Sequence, residues 1–226
     1  MIPWLGPDDP FPPLAKALRA PNGLLCAGAD LSAPRLVDAY SRGIFPWFSE
    51  GDPILWWSPD PRMVLYPDEL KVSRSLRRVV ARGVYDIRVD TAFPAVIEAC
   101  AARRHGHLGT WILPEMVAAY IALHDAGFAH SVEAWKDGAL AGGLYGVALG
   151  KVFFGESMFT LAPDASKAAL VALVERLQAR GFRVIDCQQA TAHLASLGAR
   201  EIPRRKFAQV LEESIQYPLT SSRWDS

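Results

Sequence analysis

The chain has 226 residues, with 24 basic and 24 acidic side chains; half its residues are hydrophobic and 21% charged, the profile of one or two globular domains with a sizeable core. Zero net charge points to no polyanionic partner for the molecule as a whole, so any nucleic-acid contact must be a local patch. Three scattered cysteines (Cys26, Cys100, Cys187) without a C-x-x-C pair argue against structural zinc and for a reducing compartment; with no signal-peptide pattern and no apolar run long enough to span a bilayer, a cytoplasmic location is expected.

Residues 1–21 are Pro-rich and loop-like, and 22–30 form a Gly-studded apolar turn or short strand. Ser32 reads as the N-cap of a helix with Pro34 in its first turn, stopped by Gly43. Residues 44–62 (IFPWFSEGDPILWWSPDPR) have no period. They carry too much apolar surface for a free linker, so a folded loop is expected, closing a small N-terminal domain over residues 1–61. From 62 to 226 the order is strand 63–66, a Ser73-capped helix to Arg82, strand 85–89 and a Thr91-capped helix to about Arg104. A helix from Pro114 to Gly127 follows, then strands 129–135 and 139–149 joined by an Asp137-Gly138 hairpin turn.

The stretch 150–189 is the most informative. An apolar strand ending in Gly-Glu-Ser, a helix from about Ala165 to Arg180, and a second strand carrying Asp186 make a βαβ unit with parallel strands. Ligands of open α/β sheets collect beyond the carboxyl ends of such strands, where Glu156, Asp186 and Gln188 all fall. They are candidates for proton handling or for orienting an amide; the plainer reading is strand-end residues bonded to loops. Strand alternation places Asp186 and Gln188 on one face and Cys187 on the other, which disfavours a Cys187–His193 nucleophile pair. Arg74, Arg77, Arg78 and Arg82 share one helical arc, with Leu76, Val79 and Val80 towards the core, and suit either solvent or phosphate oxygens. Trp47 and Trp111, in Pro- or Gly-rich loops, are placed to pack or to stack on a nucleobase. P-loop, G-x-G-x-x-G, H-E-x-x-H and G-x-S-x-G motifs are missing, and short helices near 190–197 and 204–213 close the chain.

The element order from residue 63 resembles the N-acetyltransferase-type fold, in which two parallel strands splay apart around the acyl group. The fold class expected is therefore α+β: a small N-terminal domain followed by an acetyltransferase-like (GNAT-type) α/β domain. The segment FTLAPDAS offers no glycine-rich pyrophosphate cradle, which counts against a CoA thioester donor, although a CoA-dependent N-acetyltransferase is the alternative enzyme reading. A non-catalytic RNA-binding module built on the arginines and tryptophans is the other reading. It gives no reason for Glu156, Asp186 and Gln188 to converge.

Six segments (23–32, 42–62, 109–112, 155–159, 186–188 and 195–204) carry a more specific signal. GLLCAGADLS, RGIFPWFSEGDPILWWSPDPR, GTWI, GESMF, DCQ and ASLGAREIPR together resemble the bacterial leucyl/phenylalanyl-tRNA–protein transferase family. The resemblance implies transfer of leucine or phenylalanine, and also methionine, from aminoacyl-tRNA to proteins with N-terminal Arg or Lys, marking them for degradation by the N-end rule. It implies catalytic roles for Glu156, Asp186 and Gln188, and terminal-adenosine contacts from Trp47 and Trp111. It also implies a donor side-chain pocket of Leu144, Phe153, Met158 and Ile185, and tRNA contacts from Arg74 and Arg78 within the Arg74, Arg77, Arg78 and Arg82 face. No metal or soluble cofactor is expected, and a monomer is. Two departures stand out: Ala81 where a further basic residue is expected, and Ala29 in place of a turn glycine. On this reading Asp186 orients Gln188, the Gln188 oxygen takes the attacking amine, and Glu156 anchors an ammonium group or the backbone at the reacting centre.

Overall fold

The computed structural model describes residues 2–102, 112–216, 219, 221 and 224. Strands β1 (Trp4–Leu5), β2 (Leu24–Gly28), β3 (Phe45–Pro46) and β4 (Leu55–Trp57) form a small sheet in the order β1-β2-β4-β3. Helix α1 (Ala33–Ser41) connects β2 to β3. Ser32 stands at its N-cap, yet the hydroxyl makes no capping bond; its backbone N–H instead donates to Asp30 Oδ1 at 2.8 Å. Ala29 holds φ 60°, the left-handed backbone for which a glycine was expected at this turn. The segment 44–62 thus contains two short strands rather than only a loop.

A second, seven-stranded sheet takes the rest of the chain: β5 (Arg62–Leu65), β6 (Asp86–Val89), β7 (Ala129–Lys136), β8 (Ala139–Leu149), β9 (Val152–Thr160), β10 (Val184–Gln188) and β11 (Arg200–Ile202), in the order β11-β5-β10-β9-β8-β7-β6. Its helices are α2 (Arg74–Ala81), α3 (Phe93–Ala101), α4 (Pro114–Asp125), α5 (Ala165–Ala179), α6 (Ala192–Ser196) and α7 (Arg204–Ser214). Only β9 and β10 pair in parallel; every other neighbouring pair in this sheet is antiparallel. This is the α+β architecture expected, a small N-terminal sheet followed by a larger mixed sheet with one parallel strand pair.

Local signals are honoured where the chain needs them. Asp137 and Gly138 both have positive φ (51° and 77°), the turn that matches the twist of the β7–β8 hairpin. Ser73 Oγ accepts from the Leu76 N–H and starts α2. Thr91 does not cap α3, which starts two residues later. Its N–H and hydroxyl both donate to Glu133, a fully buried carboxylate on β7 that also accepts from Ala92 N–H and Ser131 Oγ. Strand β11, unexpected from sequence, is three residues long and borrows its register from β5.

Two apolar clusters lie on the faces of the large sheet. One joins Leu25, Leu36, Trp56 and Phe48 of the first 61 residues to Val64, Phe93, Phe154 and Phe207, so the two sheets share a core. The other packs α5 (Ala169, Leu173, Leu177) against Met63, Leu144, Phe153 and Ile185.

Candidate active site

Between β9 and β10 the ladder runs Val184–Val152, Ile185–Phe153 and Asp186–Phe154, and then stops. Beyond that point β9 continues beside β8 alone and the two parallel strands part. Glu156 lies just past the fork. On β8 Tyr145 faces Ser157 and Gly146 faces Gly155, so Glu156 is an extra residue without a cross-strand partner, a β-bulge. Gly146 is there because its Cβ would come within 2.2 Å of the Phe154 carbonyl oxygen.

The bulge decides what lines the gap. Phe153 and Met158 are five residues apart and would occupy opposite faces of a regular strand. The extra residue brings both onto the α5 side. Strand β10 has a matching irregularity: Gln188 takes φ 59° and the β10–β5 register shifts there. Ile185, Cys187 and Gln188 therefore all reach one cavity of about 280 Å³, together with Leu144, Phe153, Met158, Glu156 and the α5 residues Leu170 and Leu173. Its walls are mostly apolar. The four side chains expected in a donor pocket are all in this wall.

The polar cluster at the fork differs in wiring from the expectation. Asp186 is fully buried and turned away from the cavity; Arg62 donates to both of its oxygens (Nε–Oδ1 2.8 Å, Nη2–Oδ2 2.6 Å). Arg62 is itself buried, stacked between Phe45 and Phe207 (4.8 and 4.9 Å), and donates to the Gly43 carbonyl. Asp186 accepts from the backbone N–H of Gln188 at 3.0 Å, which holds the left-handed turn, but does not touch the Gln188 amide. That amide is held by Glu156: Nε2 donates to Oε1 at 2.8 Å. In its ionised form Glu156 only accepts, so this bond turns the Gln188 oxygen the other way. Cys187, placed by alternation away from the site, lines the cavity instead. Burial and the Asp186 charge push its thiol well above the ordinary range, which leaves it a poor nucleophile.

Sequence reasoning missed the second pair of groups on Glu156. Tyr40 of α1 lies 2.7 Å from Oε1 and Tyr120 of α4 3.1 Å from Oε2, and the two hydroxyls touch each other, so the phenol protons are shared within this cluster. The signal available was a tyrosine, rather than phenylalanine, on the buried stripe of each helix, since a buried phenol seeks a partner. Burial raises the Glu156 pKa to about 7, opposed by the hydrogen bonds from Tyr40 and Tyr120. Burial and the Glu156 charge push both phenols upward.

Elsewhere, Trp47 is 39% exposed, propped edge-on against Trp57 (5.4 Å), whose indole N–H donates to the Trp47 carbonyl. Trp111 lies outside the described residues. Arg74, Arg77, Arg78 and Arg82 are exposed on and just after α2, above buried Leu76; Val80, expected to face the core, is exposed. Two basic residues further along the chain are committed to structure: Arg200 pairs with Glu69, and Arg204 binds the Ser58 carbonyl and Asp60.

A parallel strand pair opens over an apolar cavity, with a carboxylate and an amide held at its fork, and the sequence relatives of the chain make it an aminoacyltransferase. Residues 64–212 match the family model for leucyl/phenylalanyl-tRNA protein transferase, and residues 29–60 match the model for its N-terminal domain. The chain belongs to the leucyl/phenylalanyl-tRNA–protein transferase family. It is 62% identical over 224 residues to the family member from Nitrosospira multiformis (99% of this chain, 97% of the relative). It is 61% identical over 225 residues to that of Chromobacterium violaceum (100% and 97%). Solved structures overlap it only loosely: a GCN5-related N-acetyltransferase-like protein from Streptococcus suis covers 78% of the chain and 67% of its own, at 13% identity and TM-score 0.37.

Proposed function

We propose that this chain moves leucine, phenylalanine or methionine from aminoacyl-tRNA onto the α-amino group of proteins with N-terminal Arg or Lys, by direct aminolysis of the tRNA ester. The observation that carries this reading is the apolar cavity in the β9–β10 gap with Gln188 at its mouth, its amide oriented by Glu156. The donor side chain occupies the cavity, with Leu144, Phe153, Met158 and Ile185 around it. The Gln188 oxygen, which has no hydrogen bond among the described residues, then accepts from the attacking amine.

The amine nitrogen attacks the ester carbonyl carbon, the amide bond forms and the bond to the ribose oxygen breaks. One proton passes overall from the amine to that oxygen. The ester is already activated, so holding amine and carbonyl in line is the chief task and contributes up to about 7–11 kcal/mol. Glu156, Tyr40 and Tyr120 keep the amide from turning, and Arg62 and Asp186 hold the backbone on which it sits. Trp47 and Trp111 take the terminal adenosine, and the exposed arginines of α2 take tRNA phosphates. At the start of α5, where an acetyltransferase would seat the CoA pyrophosphate, stands Asp164, paired with Lys167 and placed to repel it.

The test is transfer of label from radiolabelled Leu-tRNA. Label moving to an Arg-initiated peptide and not to an Ala-initiated one supports the reading. Equal labelling of both contradicts the acceptor rule, and labelling only from acetyl-CoA contradicts the donor.

A further inference from the structure

Trp224, close to the C-terminus, is 1% exposed although it belongs to no helix or strand. Its indole is wedged among four elements. It stacks face to face on His130 of β7 (centroids 4.2 Å, planes 8° apart), lies 5.7 Å from the ring of Phe153 on β9, and meets Phe182, just before β10, edge-on at 6.0 Å. The guanidinium groups of Arg176 on α5 and of Arg180 just after it cover it at 5.7 and 5.4 Å, and Arg176 also donates to the Trp224 carbonyl. The indole N–H has no partner among the described residues, so contacts of the ring faces set its position. Opposite it His130 is anchored by Asp90 (Nδ1–Oδ2 2.7 Å), and burial lowers the His130 pKa, favouring a neutral ring to stack on.

The neighbours are what matter. Phe153 is in the cavity wall, and α5 supplies Leu170 and Leu173 to the same wall, Leu173 one turn before Arg176. The indole thus ties the strand and the helix that bound the cavity to a fixed point on β7. We infer that Trp224 is a specificity-determining, positioning residue: it sets how far Phe153 intrudes into the donor pocket, and so the ratio at which the enzyme uses a bulky aromatic donor against a smaller aliphatic one. This rests on the reading of the cavity as the donor pocket. Trp224 touches no substrate and acts through Phe153. Truncating it opens a void of aromatic size behind Phe153, into which that ring relaxes. The pocket grows, which favours the larger donor side chain. Pocket fit of this kind separates close analogues only modestly, so a moderate shift of the ratio is the expected scale.

The experiment measures kcat/KM for Phe-tRNA and Leu-tRNA on the full-length enzyme, with Trp224→Ala, Trp224→Phe and Phe153→Leu. Trp224→Ala should raise the Phe-to-Leu ratio about threefold to tenfold, while Trp224→Phe stays near the parent ratio and the acceptor KM does not move. Phe11→Ala, a truncation in the other apolar cluster, controls for lost stability and should leave the ratio alone. If Trp224→Ala does not fold, Trp224→Leu answers the same question. A ratio unmoved at Trp224 but moved by Phe153→Leu overturns the inference and leaves the pocket standing. A ratio unmoved by Phe153→Leu as well removes the pocket reading itself.

Discussion

The side chains at the fork form a chain of obligations: Arg62 to Asp186, Asp186 to the Gln188 backbone, the Gln188 amide to Glu156, and Glu156 to two phenols. Breaking it at the buried ion pair leaves an uncompensated charge. Arg62→Met should therefore cost about 3–5 kcal/mol of unfolding free energy, and the double variant Arg62→Met, Asp186→Leu should recover much of that loss. Denaturant titration of Arg62→Met, Asp186→Leu and the double variant checks it, and additive losses would contradict the coupling. Glu156 gives a pH-dependent signature. Its folded-state pKa, about 7, lies above the ordinary value of 4.5, so the native state binds more protons than the unfolded one between the two. Its contribution to stability is thus greatest in acid and is lost as pH rises towards 7. Glu156→Gln should gain in melting temperature relative to the parent between pH 5 and 8; a constant difference would mean that Glu156 titrates normally. That Glu156, Asp186 and Gln188 gather at the strand ends was legible because strand-end polarity shows in sequence. Arg62, Tyr40 and Tyr120 were not, because each sits on an otherwise apolar stripe and only the folded neighbours reveal its partner.

At the scale of elements, helices and hairpins followed their punctuation: Ser73 and Gly83 around α2, Asp137-Gly138 between β7 and β8, Gly181 after α5. What strict alternation could not supply were its two breaks, the bulge at Glu156 and the left-handed turn at Gln188. A bulge is selected by cross-strand crowding at Gly146, a property of paired strands rather than of either one. Gly146→Ala should accordingly cost at least the ~1–3 kcal/mol of an overpacked core and impair donor use more than tRNA binding. A variant with parental melting and parental rates would show that the bulge tolerates a side chain. For α2, the logarithm of tRNA affinity against the logarithm of salt concentration should fall linearly. Arg78→Ala should reduce that slope by about one if Arg78 neutralises a phosphate; an unchanged slope would assign Arg78 to solvent.

Across the whole molecule, the N-terminal sheet is not a separate body hung on the large one. Tyr40 from α1 reaches Glu156, Arg62 is clamped between Phe45 and Phe207, and one apolar cluster runs through both sheets. The geometry at the fork therefore depends on the two sheets staying docked, and calorimetry should record one cooperative transition, with two separated transitions contradicting the shared core. All these contacts converge on the direction of one amide. The most direct measurement is single-turnover transfer of leucine from Leu-tRNA to an Arg-initiated peptide by Gln188→Ala, alongside its tRNA dissociation constant. The account predicts a rate lower by about 10²-fold or more, the scale of a lost positioned group, with tRNA affinity within about twofold of the parent, a spread well below one tenfold step. A rate close to the parent's, or a loss of tRNA binding equal to the loss of rate, would contradict it.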